Sequence, residues 1–250
     1  DGADTITLSN AFTKAITTGA GNDIVTYGGA AGTKGSVNAG DGIDAIVMTD
    51  AAAAAADANA VFNSTFLGFE ALVIGDAFIE DNLNMLGLSN LTNITLNAGV
   101  SGTAQIDNLA NGSTVTIKAN GASTPALTLA VTGAAFSAAD SANLVLDKAT
   151  ILTAGSVTVA DVETVSITTP DSGTASAAAI HTATLAATSA KTVTVAGNNG
   201  LTLTNTGNTK ITSFDASGVV GNSTTTAVDT AANLGVTFAS ANTTATATVT

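Results

Sequence analysis

Three short segments near the start hold the residues best suited to chemistry: Asp1-Gly2-Ala3-Asp4-Thr5-Ile6, Gly19-Ala20-Gly21-Asn22-Asp23-Ile24-Val25 and Gly40-Asp41-Gly42-Ile43-Asp44-Ala45-Ile46. Each runs through Gly-x-Asp into an alternating apolar strand. A carboxylate set in a glycine-rich turn is suited to a hard divalent cation, which takes roughly six to eight oxygens. Glycine tolerates positive φ, so successive carbonyls can converge while the Asp adds its carboxylate. One turn supplies about half a coordination shell, so the equivalent turn of a neighbouring coil must supply the rest. The spacing suits this: Asp4 to Asp23 is 19 residues and Asp23 to Asp44 is 21, the length of one β-solenoid coil. Asp4, Asp23 and Asp44 are therefore the expected carboxylate ligands of Ca2+, with carbonyls near Gly2, Gly19, Gly21, Gly40 and Gly42 completing the shells. The repeat pattern for such turns is Gly-Gly-x-Gly-x-Asp-x-U-x, with U a large apolar residue. Thr18 and Ala39 stand at its first glycine in the second and third copies, and the first copy is truncated by the chain start. The competing reading is three ordinary β-turns, against which their recurrence in register argues.

Other acids are weaker candidates. Glu70 and Glu163 sit in related strand starts, Gly68-Phe69-Glu70-Ala71-Leu72 and Asp161-Val162-Glu163-Thr164-Val165, and either bind ions or cap the strands, the structural role being preferred. Asp76, Glu80 and Asp81 read first as a solvated acidic loop and second as an extra calcium site. The single His, His181, lies among small residues and reads as a surface or half-buried strand residue rather than a ligand. With one His and no Cys, nucleophile arrangements that need an activating base have little to draw on. No zinc helix or nucleophile elbow occurs. A carboxylate pair could do glycosidase chemistry, but the aromatic platforms usual for sugars are missing: there is no Trp and one Tyr. No enzyme activity is expected. The Asn-x-Ser/Thr triplets at Asn63, Asn90, Asn93, Asn111, Asn222 and Asn242 are what an Asn- and Thr-rich chain yields by chance.

The elements that must position these residues are strands. Val and Thr abound, with alternating runs at Thr114-Val115-Thr116-Ile117, Thr192-Val193-Thr194-Val195 and Leu201-Thr202-Leu203-Thr204; period-two alternation marks half-buried strands. Hydrophobic residues make up 45% of the chain but aromatics only 4%, so the core must be thin and filled by branched and small side chains. A return strand is expected at Ala11–Thr17, a loose turn with a short strand over Gly28–Val37, and a coil of a stacked repeat over Leu86–Leu96. Six consecutive Ala predict a short helix within Asp50–Phe62 and a soft boundary there. The expected division is 1–50, a calcium-binding β-roll, and 51–250, a Thr/Ala/Val-rich strand region. The fold class is all-β: a calcium-stabilised parallel β-roll or β-solenoid at the N-terminal end, continuing into further β-solenoid or β-sandwich-like strands.

Six Lys and Arg face 19 Asp and Glu, a formal net charge of −13. Nothing basic could neutralise phosphates, so nucleic acid is excluded as a partner, and bare anionic membrane would repel the chain. No run of about 20 apolar residues could span a bilayer. The absence of Cys agrees with passage through an export route in the unfolded state. The chain begins inside a motif, carries no visible signal peptide, and ends on the alternating run Ala245–Thr250, so it reads as a segment of something longer.

On these motifs the first fifty residues resemble an RTX calcium-binding β-roll. The rest resembles the C-terminal, β-rich part of RsaA-type surface-layer (S-layer) proteins, most strongly at Thr184–Thr192, Gly200–Thr209 and Thr212–Ser217, with the Gly68-Phe69-Glu70 strand also fitting. The resemblance implies a secreted structural protein of the bacterial cell surface. It implies type I secretion, folding on extracellular calcium, and assembly with copies of itself into a lattice, anchored to cell-surface polysaccharide through another region and without direct membrane insertion. The alternative is a repeat segment of a large secreted RTX adhesin.

Overall fold

The computed structural model describes all residues except 9–11, 29–34, 60, 81, 122–123, 172–177, 222–232, 240, 242–247 and 250. Among these, every pairing between strands is parallel, and successive strands alternate between two walls. The first wall is one sheet of 11 strands: Thr5–Leu8, Ile24–Tyr27, Ala45–Met48, Ala71–Ile74, Asn93–Leu96, Thr114–Ile117, Ser141–Leu146, Thr164–Thr169, Thr192–Gly197, Ser213–Val219 and Thr248–Val249. The second wall is two sheets. Three strands come first, Ala15–Ala20, Ser36–Asp41 and Phe66–Leu67; seven follow, Leu83–Asn84, Thr103–Leu109, Ala126–Val131, Thr153–Ala160, Ile180–Ala186, Gly200–Asn205 and Val236–Phe238. This is a parallel β-solenoid, as the motif spacing and alternation predict.

Alternation sets the register. Val25, Ile46, Leu72, Ile94, Val115, Leu144 and Ile167 pair in one line along the first wall, and each is at most 2% exposed. A one-residue slip would carry that whole line to the solvent face, so the buried row fixes the pairing. Both walls feed one continuous core, thin and aliphatic as the composition requires. Several of the few aromatics meet around Phe66: Phe62 stacks on it with centroids 4.8 Å apart and Tyr27 meets it edge-on at 4.9 Å, while Phe214 and Phe238 stack separately at 4.1 Å.

The alanine run is helical over Asp50–Asp57, and a second short helix follows at Phe62–Thr65. The Thr49 hydroxyl oxygen accepts the Ala52 N–H at 3.2 Å, an N-cap for a donor of the first turn that has no partner within the helix. Ala52, Ala53 and Ala56 face the core, and the Asp57 carboxylate takes the Asn84 N–H at 2.7 Å, tying the helix to the next coil. Phe66–Leu67, directly after this insertion, still pairs with Ser36–Asp41; the second wall changes sheet one coil later, between Phe66–Leu67 and Leu83–Asn84, while the first wall runs on unbroken. The return strand starts at Ala15 rather than Ala11, which lies outside the described residues, as do most of the Gly28–Val37 turn, Asp81, Asn222, Asn242 and most of Ala245–Thr250. Leu86–Leu96 holds the end of a 3-10 turn, Met85–Leu88, and the strand Asn93–Leu96.

Candidate cation-binding edge

The Gly-x-Asp turns stack directly on one another. The Gly2 N–H donates to the Ala20 carbonyl at 2.7 Å and the Gly21 N–H to the Asp41 carbonyl at 2.9 Å. Gly40 has φ of +98°, and a Cβ built on it would collide with the Gly19 carbonyl one coil away; only glycine meets both demands at once. The two departures from the repeat pattern also meet, because the Thr18 hydroxyl donates to the Ala39 carbonyl at 2.5 Å. A side-chain bond here does the work of close backbone packing.

The acids form a ladder along the edge that leads into the first wall. Asp23 Oδ1 accepts the Asp4 N–H at 2.7 Å, Asp44 Oδ1 accepts the Asp23 N–H at 2.7 Å, and Glu70 Oε2 accepts the Asp44 N–H at 2.8 Å. Each carboxylate thus caps the turn of the coil before it. Glu70, expected either to cap or to bind, supplies the last cap. Asp23 and Asp44 are 1% and 0% exposed. The Thr18 hydroxyl stands near enough to lower the Asp23 carboxyl, but its one proton goes to the Ala39 carbonyl, so the Asp4 N–H is what holds that carboxyl below its ordinary range against the opposing push of burial.

Half of each buried carboxylate is left over. Among the described residues, four buried side-chain oxygens have no hydrogen-bond partner: Asp23 Oδ2, Asp44 Oδ2, Ser113 Oγ and Asp140 Oδ2. Each belongs to the residue immediately before a first-wall strand, so all four line one edge of the solenoid. An orphaned buried carboxylate oxygen is costly unless a cation or ordered water meets it. The residues of the first three turns therefore fit a hard cation. Among the described residues no three His, Asp or Glu side chains cluster as a metal shell, so most oxygens there would come from the turn carbonyls around Gly2, Gly19, Gly21, Gly40 and Gly42. Asp4, at the first turn, is exposed and enters the ladder through its N–H.

The other acids serve the backbone. Asp76 Oδ1 accepts the Asp50 N–H at 2.7 Å, and Asp50 Oδ1 accepts from Ile79 at 3.1 Å and Glu80 at 3.2 Å. Burial chiefly pushes the Asp50 carboxyl up, the Ile79 and Glu80 N–H groups oppose, and the Glu80 and Asp76 charges add to the rise. Asp76 and Glu80 are thus tied into the coil stack rather than into a loose acidic loop.

His181 corrects its sequence reading. It lies in a strand, as expected, but is 0% exposed. Its neighbours are small, so nothing in the local sequence shows that another coil covers it. Nδ1 accepts the Leu152 N–H at 3.1 Å and Nε2 lies 3.3 Å from Asn199 Nδ2. Asn199 in turn takes the Ala179 N–H at 2.8 Å and donates to the Lys148 and Pro170 carbonyls at 3.2 Å each. Burial chiefly lowers the His181 pKa, to about 4; the Lys148 charge adds, and Asp147 and Asp171 oppose. The imidazole is a neutral strut of the core.

No protein-family model and no curated protein matches the chain. Among the described residues no helix is long and apolar enough to cross a membrane. Sequence reasoning missed Ser113, Asp140, His181 and Asn199 as buried polar residues. Ser113 and Asp140 follow Asn-Gly and Ala-Ala rather than Gly-x, and their one available signal is position, directly ahead of an alternating strand.

Proposed function

We propose that this chain is part of a secreted, calcium-dependent structural protein that assembles with copies of itself into an S-layer on the bacterial cell surface. The observation that carries the reading is the pair of buried carboxylate oxygens, Asp23 Oδ2 and Asp44 Oδ2, left without partners at stacked Gly-x-Asp turns. With calcium in place, binding free energy becomes folding free energy. Without it, carboxylates on successive coils repel one another and their desolvation is unrewarded. A low-calcium cytoplasm would keep the chain open for type I export, and extracellular modules typically bind at roughly 10⁻⁴ to 10⁻³ M. The resemblance of the Thr184–Thr192 and Gly200–Thr209 segments to S-layer proteins favours the lattice over other calcium-dependent roles, and the proposed role is non-catalytic. The test is electron microscopy of the full-length protein with and without millimolar calcium, beside far-UV circular dichroism in chelator. Sheets or tubes that form only with calcium support the lattice. Calcium-dependent folding into single rods moves the reading to an adhesin repeat segment, and a full β spectrum in chelator sinks the coupling altogether.

A further inference from the structure

Among the described residues one large apolar side chain stands clear of the rest: Phe136 is 97% exposed, against 63% for Ile43, the next most exposed. The backbone beneath it is fixed. The Phe136 N–H donates to the Gly133 carbonyl at 2.9 Å and the Ser137 N–H to the Ala134 carbonyl at 3.2 Å, closing the 3-10 turn Ala134–Phe136. Ala135, Ser137, Ala138 and Ala139 around it are small and exposed, so nothing beside the ring blocks its approach to another surface. A groove of about 440 Å³ that suits such a ring lies on the same protein. Phe66 and Phe69, with centroids 6.3 Å apart, line it together with Leu67 and Leu86, 46% and 54% exposed. Asn63 braces it: Oδ1 accepts the Ser89 N–H at 2.6 Å and Nδ2 donates to the Leu86 carbonyl at 2.8 Å. The groove lies where the second wall changes sheet, since Phe66–Leu67 and Leu83–Asn84 do not pair.

We propose that Phe136 of one copy of this chain seats in the groove of a second copy, and the second copy's Phe136 in the groove of the first. The contact rests on the proposed self-assembly for its partner, and on position and charge for its fit. Ring and groove lie on one edge, in turns that lead from the second wall to the first: 68–70, 85–92 and 132–140. The strand after the ring's turn, Ser141–Leu146, is two ladder steps from Asn93–Leu96 and three from Ala71–Ile74, which sets ring and groove roughly 10–14 Å apart along the stack. A twofold axis standing on that edge midway between them exchanges the two, so both rings seat at once and the contact closes as a pair. The net charge of −13 holds copies apart, but the turns 85–92, 110–113 and 132–139 carry no charged residue, leaving an uncharged strip where two copies can touch. A Phe side chain buries roughly 150–250 Å², so two rings, even with the walls they cover, fall short of the roughly 1,200 Å² of a stable interface. The pair is weak alone and contributes within an array, where contacts act together.

The experiment joins disulfide trapping to assembly, on the full-length protein in millimolar calcium. This chain has no Cys, so introduced thiols report their own encounter. Phe136→Cys mixed with Leu86→Cys is expected to form a disulfide-linked dimer. Phe136→Cys mixed with Ile151→Cys, 60% exposed on the opposite edge, is not. Phe136→Ser, with its circular dichroism unchanged, is expected to raise the concentration needed for sheets about tenfold. If Phe136→Ser forms sheets at the wild-type concentration and the Leu86 mixture gives no dimer, the contact is overturned while self-assembly stands, and the groove is left to a partner of other chemistry. Weakened assembly without the Leu86 dimer places the ring elsewhere and also overturns the contact. If the dimer forms but sheets never do, the pair is upheld and the lattice reading fails; if neither forms, both fail. If Phe136→Ser does not fold, Leu86→Asp, which puts a charge into the groove, takes its place with the same expectation.

Discussion

The coils at the two ends of the solenoid solve one problem with different chemistry. Every corner of a coil, where the chain enters or leaves a wall, must find a partner for a backbone N–H that points along the stack. Around Asp4, Asp23 and Asp44 the partners are carboxylates of the next coil, and each buried carboxylate has an oxygen to spare. Around Leu152, Ala179 and Ala187 they are neutral: His181 Nδ1, Asn199 Oδ1 and Asn208 Oδ1. Asn199 and Asn208 also return amide hydrogens to carbonyls, Asn208 to Leu185 at 2.8 Å. A neutral amide both accepts and donates, so its network closes without a guest; a carboxylate only accepts, and its charge calls for a cation. On the proposed calcium reading, the ladder at the N-terminal end responds to an ion and the struts near residues 180–210 stand without one.

The largest expected effect tests that contrast directly. Stripping calcium should remove about 4 kcal/mol for each site otherwise held at a thousandfold excess over its Kd. Hydrogen exchange in chelator should then lose protection at the Asp4, Asp23 and Asp44 amides while the Ala179 and Ala187 amides keep theirs. Equal loss at both ends would erase the distinction. Next comes backbone stacking. Gly40→Ala places a Cβ against the Gly19 carbonyl at φ of +98° and should cost about 3 kcal/mol in denaturant unfolding with calcium saturating. Gly102→Ala, with φ of +72° and open space around its Cβ, should cost about 1 kcal/mol.

The neutral end should break by pH. His181 has a folded pKa of about 4 against 6.5 unfolded, so between those values the unfolded chain binds the extra proton. Stability is complete above pH 6.5 and is lost as pH falls toward 4, by on the order of 2 kcal/mol after allowing for screening. His181→Leu should flatten that slope while leaving the Leu152 N–H unpaired, at about 1–3 kcal/mol. The smallest effect belongs to the surface: Phe136, 97% exposed on a 3-10 turn, should change to Ser within about 0.5 kcal/mol in the isolated chain.

Much of this was legible in the sequence, for reasons visible at particular residues. Repetition of Gly-x-Asp at steps near 20 announced the coil, and alternation at Thr114–Ile117 or Thr192–Val195 announced which side chains turn inward, because a strand's period of two is local geometry. The alanine run announced its helix by propensity alone. Thr18 and Ala39 read as defects of a motif, yet they bond to each other across a coil.

The sequence by itself determined that the chain winds into parallel coils, that its core is thin and aliphatic, and that acids recur at the start of the first strands. Only the tertiary structure decided which polar groups are stranded in the stack. Ser113, Asp140 and His181 lie among ordinary small residues, and each becomes buried through what the neighbouring coil, some 20 to 30 residues away in sequence, sets against it. Burial of a polar atom is a property of that stacking, and local residue patterns carry no information about it.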